Sequence, residues 1–140
     1  MYEIYTDGGC MVHHGKSGKY AFVVVLDDKL VFEYVGSKSY TTVNEMELSA
    51  FYYALRYVNK YLKDKKLTIY ADSKYTVDGY NDWVFKWESL GWRRSRNKFI
   101  ENLDIWKAIH RHRCKENVTV EWVKAHADND WNNYVDSLTR

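Results

Sequence analysis

Proline is absent from this chain, cysteine occurs only twice, and no apolar run approaches the length of a membrane span. Each shortage removes a class. The longest apolar run, Ala21 to Leu26, falls far short of the roughly 20 residues a spanning helix needs. Cys10 and Cys114 form no metal-ligand pair by spacing, and two cysteines are no disulfide framework, so a reducing cytoplasm is the expected compartment. Strand-forming residues begin at Tyr2, so no signal peptide is expected. Repeats and linkers are missing as well. A net charge of +2 is too small to name a partner. What is present is globular: 46% hydrophobic and 29% charged residues in 140, enough for one domain with one good core.

The order of elements reads βββαβα…αβα. Tyr2 to Thr6 is a β-branched and aromatic run, closed by Asp7 and a turn at Gly8-Gly9. Lys19 to Leu26 and Leu30 to Val35 are strands joined by Asp27-Asp28-Lys29, and the three make an antiparallel meander. Gly36 to Thr42 is a polar loop, and Asn44 is the expected N-cap of a helix reaching about Leu62. Leu67 to Asp72 returns as a strand, completing a strand–helix–strand crossover. A short helix starts at Ser73 with Gly79 near its end, and a second runs from Asp82 to Ser89. Phe99 to about Arg113 is amphipathic, Val118 to Val123 is a last strand, and a short helix closes the chain. One α/β domain with a mixed sheet follows.

If the first and fourth strands lie parallel and adjacent, Asp7 and Asp72 meet at the carboxyl edge, where α/β sheets bind ligands. Two close carboxylates repel unless a proton or cation sits between them. Taken singly, each aspartate is an ordinary strand-ending turn residue. Glu47 is the more informative acid, because it falls inside the stripe of Phe51, Ala54, Leu55, Val58 and Leu62 rather than opposite it. First-turn glutamates favour the helix dipole and can lean out to solvent, but a carboxylate on a core-facing stripe is costly to bury unpaired. Asn132 and Asp136 stand away from Trp131, Val135 and Leu138, and by pattern alone they face solvent. His126 is an exposed loop histidine by pattern, and His110 and His112 belong to a basic helix end. Between Lys86 and Lys98, the cations Lys86, Arg93, Arg94, Arg96 and Lys98 outnumber Glu88, with Trp83, Trp87 and Trp92 interleaved. Such a run is usually solvated surface, yet cations among aromatics also describe a nucleic-acid backbone platform.

These residues carry a resemblance. The ordered set TDGG (6–9), NEMEL (44–48), ADSKY (71–75), WVKAHAD (122–128) and a final Asn132…Asp136 resembles type 1 ribonuclease H, the bacterial-type ribonuclease HI, over essentially the whole chain. Each piece alone is weak, and five in order are specific. The stretch 82–94 looks like that family's basic protrusion, or handle. The resemblance implies an α/β ribonuclease H-like fold, a five-stranded mixed sheet flanked by helices. It also implies hydrolysis of the RNA strand of RNA/DNA hybrids with Mg²⁺, or Mn²⁺ as substitute, leaving 5′-phosphate and 3′-hydroxyl ends. Matched by motif, the metal carboxylates are Asp7, Glu47, Asp72 and Asp136, with His126 tied to proton transfer or product departure. Thr42 and Asn102 match positions that hold a DNA-strand phosphate, Asn44 a minor-groove contact, and Trp83 an aromatic in the DNA channel. Lys86, Trp87, Arg93, Arg94, Arg96 and Asn132 complete the expected substrate contacts. The chain departs from the family pattern at Val43, at Lys74, and in the proline-free loop 11–19. The expectation is a catalytic domain acting alone, as a monomer, without an added hybrid-binding module.

Overall fold

The computed structural model describes residues 1–11, 16–93, 99–113 and 117–140. Its five strands are β1 (Tyr2–Met11), β2 (Ser17–Leu26), β3 (Lys29–Lys38), β4 (Leu67–Ala71) and β5 (Val118–Trp122). They form one sheet in the order β3-β2-β1-β4-β5. β1, β2 and β3 pair antiparallel, whereas β4 runs parallel to both β1 and β5. The expected five-stranded mixed sheet is therefore present. The hairpin between β2 and β3 turns through Asp27 and Asp28, both at positive φ (48° and 64°). Aspartate tolerates that region, and two such residues match the twist of a tight hairpin.

Side chains alternate across the sheet, and both faces are covered near its centre. On one face lie α1 (Val43–Tyr61) and α4 (Leu103–Arg111), packed over Ile4, Phe22, Val24, Leu67 and Ile69. On the other lies α5 (Asp130–Leu138), whose Val135 packs with Tyr5, Ala21, Val23 and Val25. Burial on both faces explains the unbroken apolar run of β2.

Several boundaries differ from those the sequence suggests. β1 does not end at Gly8-Gly9 but continues through them, pairing Gly8 with Tyr20 and Gly9 with Lys19. The glycines serve close packing, because a Cβ at Gly8 would stand 2.3 Å from the backbone of Glu47 and Met46. The N-cap of α1 is Thr42, not Asn44, since Thr42 Oγ1 accepts the Glu45 N–H at 3.1 Å. Gly79 ends nothing either. α2 (Lys74–Asp78) runs through a wide π-helical turn (Gly79–Trp83) into α3 (Val84–Ser89). A Cβ at Gly79 would lie 2.1 Å from the Trp106 ring, so this glycine lets the indole pack against the turn. α4 is shorter than the amphipathic stretch 99–113.

Candidate active site

Asp7 is the first residue of β1 beyond its paired register with β4, where Thr6 faces Ala71, and Asp72 follows Ala71 directly. The parallel pairing thus sets the two aspartates side by side at the carboxyl edge. Glu47 arrives from α1, whose first turns lie against Gly8. Its Oε1 accepts the Gly8 N–H in a short hydrogen bond. Asp7, Glu47 and Asp72 each offer an oxygen, and these atoms lie within 4.8 Å of one another. Asp7 is 4% and Glu47 6% exposed, while Asp72 is half-buried.

Such crowding raises proton affinity. Burial, with the Asp72 and Asp136 charges adding to it, pushes the Asp7 carboxyl up from 3.8 to about 7. Burial and the neighbouring Asp7 hold Glu47 well above the usual range, and burial likewise raises Asp72. Asp136 behaves differently. Partial burial acts upward on it, but Arg140, whose guanidinium lies 2.6 Å away, brings it below the ordinary value. Its field reaches Asp7 and Asp72, so α5 adds a fourth carboxylate beside the three.

The fit to a hard divalent cation rests on this donor set. Three carboxylates converge with no Lys, Arg or His ion-paired to any of them among the described residues. Without a cation, only bound protons relieve the mutual repulsion of acids this close, and oxygen ligands are what Mg²⁺ and Mn²⁺ prefer. Asn132 adds to the set. It is 1% exposed, not solvated as its helix pattern suggests, with Nδ2 3.5 Å from Asp72 Oδ2. Its Oδ1 is buried without a hydrogen-bond partner among the described residues.

A metal-free titration follows. A carboxyl that binds its proton more tightly folded than unfolded adds stability that is complete below the unfolded value and lost as pH rises through the folded one. For Asp7 that interval runs from 3.8 to about 7. In EDTA, wild type should lose Tm relative to Asp7→Asn across this interval. Mg²⁺ at pH 7 should then raise the Tm of wild type far more than that of the variant. Parallel melting curves at every pH would contradict the shift.

The remaining expected residues divide by location. His126 sits exposed on the loop after β5 at φ 57°, close enough to attract the Asp72 and Asp136 charges. Thr42 and Asn44 occupy the start of α1. Asn102, at φ 58° before α4, donates from Nδ2 to Tyr75 Oη at 3.3 Å. Trp83 and Trp87, 6.0 Å apart, join Tyr75, Ile100 and Glu101 around a cavity of about 330 Å³. Lys86 and Arg93 are exposed; Arg94 and Arg96 lie outside the described residues. His110 pairs with Glu88 at 2.9 Å and His112 bonds the Ala108 carbonyl, so both belong to their helix end and not to the site.

Two further side chains at the site are not singled out by the sequence pattern. Tyr75 takes hydrogen bonds from Asn102 and from Trp106 Nε1 (3.1 Å), fixing the cavity wall. Its place in ADSKY was the available signal. Thr139 donates to Asp7 Oδ2 at 2.7 Å, and nothing local announces a contact spanning 132 residues of chain.

The chain is similar in sequence and in fold to known proteins. The model of the family described as RNase H matches residues 1–140. A ribonuclease H of Chlorobium luteolum is 37% identical over 138 residues, covering 98% of this chain and 91% of that protein. One from Novosphingobium aromaticivorans is 36% identical over 136 residues, covering 97% and 92%. Among solved structures, LC9-RNase H1, a type 1 RNase H with the type 2 active-site motif, superposes with a TM-score of 0.85 at 26% identity, over 99% of this chain and 69% of that one. A foamy viral protease-reverse transcriptase solved with an RNA/DNA hybrid shares the fold, at TM-score 0.87 and 19% identity, over 99% of this chain and 19% of its own.

Proposed function

Because the chain belongs to the RNase H family, we propose that it cuts the RNA strand of RNA/DNA hybrids endonucleolytically, using two divalent ions and leaving 5′-phosphate and 3′-hydroxyl ends. The observation that carries this reading is the convergence of Asp7, Glu47 and Asp72 without a cationic partner among the described residues. Asp7, Glu47, Asp72 and Asp136 are the residues that would hold Mg²⁺, with Mn²⁺ as substitute. Bound divalent ions supply an activated water and relieve charge on the leaving oxygen.

The chain's own side chains supply the rest. His126 moves a proton at its imidazole near the leaving group or eases product departure, from a loop that carries no metal carboxylate. Thr42, Asn44 and Asn102 bind the DNA strand by phosphate and minor-groove contacts. Trp83 and Trp87 give its sugars and bases a ring surface. Lys86, Arg93, Arg94 and Arg96 neutralise phosphates along the handle. Helix α1 supports this division by carrying Glu47 on its buried side and Thr42 and Asn44 at its open end.

The test is cleavage of labelled RNA/DNA hybrid, double-stranded RNA and double-stranded DNA, each with Mg²⁺, Mn²⁺ or EDTA. The expected result is hybrid-specific cutting of the RNA strand, abolished by EDTA. Comparable cutting of a DNA duplex would overturn the hybrid-specific reading. The handle makes a separate expectation. Arg93→Ala, Arg94→Ala and Arg96→Ala together should raise KM and flatten its logarithmic salt dependence by up to about three, one for each lost phosphate contact. Turnover at saturating hybrid should change less. An unmoved KM at low salt would make this segment ordinary surface.

A further inference from the structure

We infer that Thr139 is a positioning residue for Asp7, holding that carboxylate in the one orientation in which it shares a cation with Glu47 and Asp72. The inference deepens the reading of the cluster as a cation site and rests on it. Thr139 is 6% exposed, and its Oγ1 donates to Asp7 Oδ2 at 2.7 Å. The same oxygen lies 3.0 Å from the Asp136 carbonyl. A hydroxyl has one proton, and the shorter contact to a carboxylate is the stronger claim on it. Threonine is also β-branched, so its Cβ has few rotamers and aims the hydroxyl stiffly.

The second glycine of the Asp7-Gly8-Gly9 run makes this contact possible. Alternation along β1 turns the Gly8 position toward α1 and the Gly9 position toward α5. A Cβ at Gly9 would stand 3.2 Å from the Thr139 carbonyl and 3.6 Å from Oγ1. The bare strand thus lets the end of α5 come down on β1, as Gly8 lets α1 come down on the other face. One helix delivers Glu47, and the other delivers the group that fixes Asp7. Asp136, three residues before Thr139, is tied to Arg140 by the 2.6 Å ion pair, so the same turn of chain orients two acids.

The experiment compares wild type, Thr139→Val and Thr139→Ser. Valine keeps the branched shape without the hydroxyl, and serine keeps the hydroxyl. Melting curves are recorded without nucleic acid while MgCl₂ is titrated, beside hybrid cleavage over the same Mg²⁺ range. Valine should raise the Mg²⁺ concentration for half-maximal Tm shift about tenfold, the loss typical of a group that orients a ligand. The Mg²⁺ midpoint of cleavage should move with it while KM for hybrid stays put, and serine should restore most of both. A valine variant that melts lower in EDTA yet keeps the wild-type Mg²⁺ midpoint would make Thr139 merely structural and overturn the inference. If valine does not fold, Thr139→Ala against Thr139→Ser makes the same comparison. Wild type that neither cleaves hybrid nor gains Tm with Mg²⁺ would overturn the cation-site reading together with this one. Wild type that does both beside unmoved variants overturns this one alone.

Discussion

Glu47→Gln should give a protein at least as stable as wild type in EDTA at pH 7 that cleaves an RNA/DNA hybrid at least about a thousandfold more slowly, a loss of roughly 4 kcal/mol of transition-state stabilisation. The two halves of that expectation have one cause. Glu47 is buried beside Asp7, with its proton held well above the ordinary glutamate range. Folding without metal therefore places a carboxyl where ionisation is unfavourable, and glutamine removes that cost while its amide oxygen still accepts the Gly8 N–H. The same change removes a charged oxygen donor from the three that converge. Paired melts in EDTA and a hybrid-cleavage assay measure both halves. A clearly lower Tm for the variant would make Glu47 a structural partner in the apo fold. Full activity would take it out of the site.

Gly8→Ala is the second large effect, and here stability and activity fall together. The added Cβ would lie 2.3 Å from the Glu47 nitrogen and 2.3 Å from the Met46 carbonyl carbon. Both are backbone atoms, so no side-chain rotation relieves the clash, and the first turns of α1 must move off β1. Overpacking of this kind costs roughly 3 kcal/mol, on the order of 10 °C in Tm for a domain this size. Glu47 moves with the helix, and misplacement of a reacting group by about 1 Å is enough to cost around a hundredfold in rate. Gly9→Ala is the graded comparison, since its nearest contact, the Thr139 carbonyl at 3.2 Å, requires the end of α5 to give by only a few tenths of an ångström, so its losses should be smaller than those of Gly8→Ala. Thermal melts and single-turnover cleavage of the two variants decide the matter. Equal, mild losses in both would mean that α1 is not held against the strand as closely as the structure has it.

Those glycines also show what a single sequence conceals. Two glycines after an acid signal a turn locally, and the helices that make them necessary lie far along the chain, at residues 46–47 and 139. Asn44 and Thr42 are both competent caps, and only the helix's first hydrogen bond selects Thr42. Asn132 defies its helix pattern because α5 buries more than one stripe: Val135 enters the core, while Asn132 turns toward Asp72. By contrast, the acids were legible. Glu47 violated the apolar stripe of an otherwise regular helix, and Asp7 and Asp72 each closed a strand at the edge where parallel pairing would join them. Patterns set by local periodicity came through. Contacts between distant segments did so only where a residue was visibly out of place.

The wide turn between α2 and α3 has a consequence of phase. An ordinary helix advances about 100° per residue, and a turn with one residue too many resets the azimuth of everything after it by that amount. Downstream of Gly79–Trp83, that offset directs Trp87 toward Trp106 (ring centroids 5.7 Å apart), within the turn it carries Trp83 to Tyr75 (5.7 Å), and Val84 enters the core. The stretch that carries Trp83 and Trp87 is therefore aimed by counting. Delete one residue from the turn, and the tryptophans swing off the cavity while each flanking helix remains as regular as before.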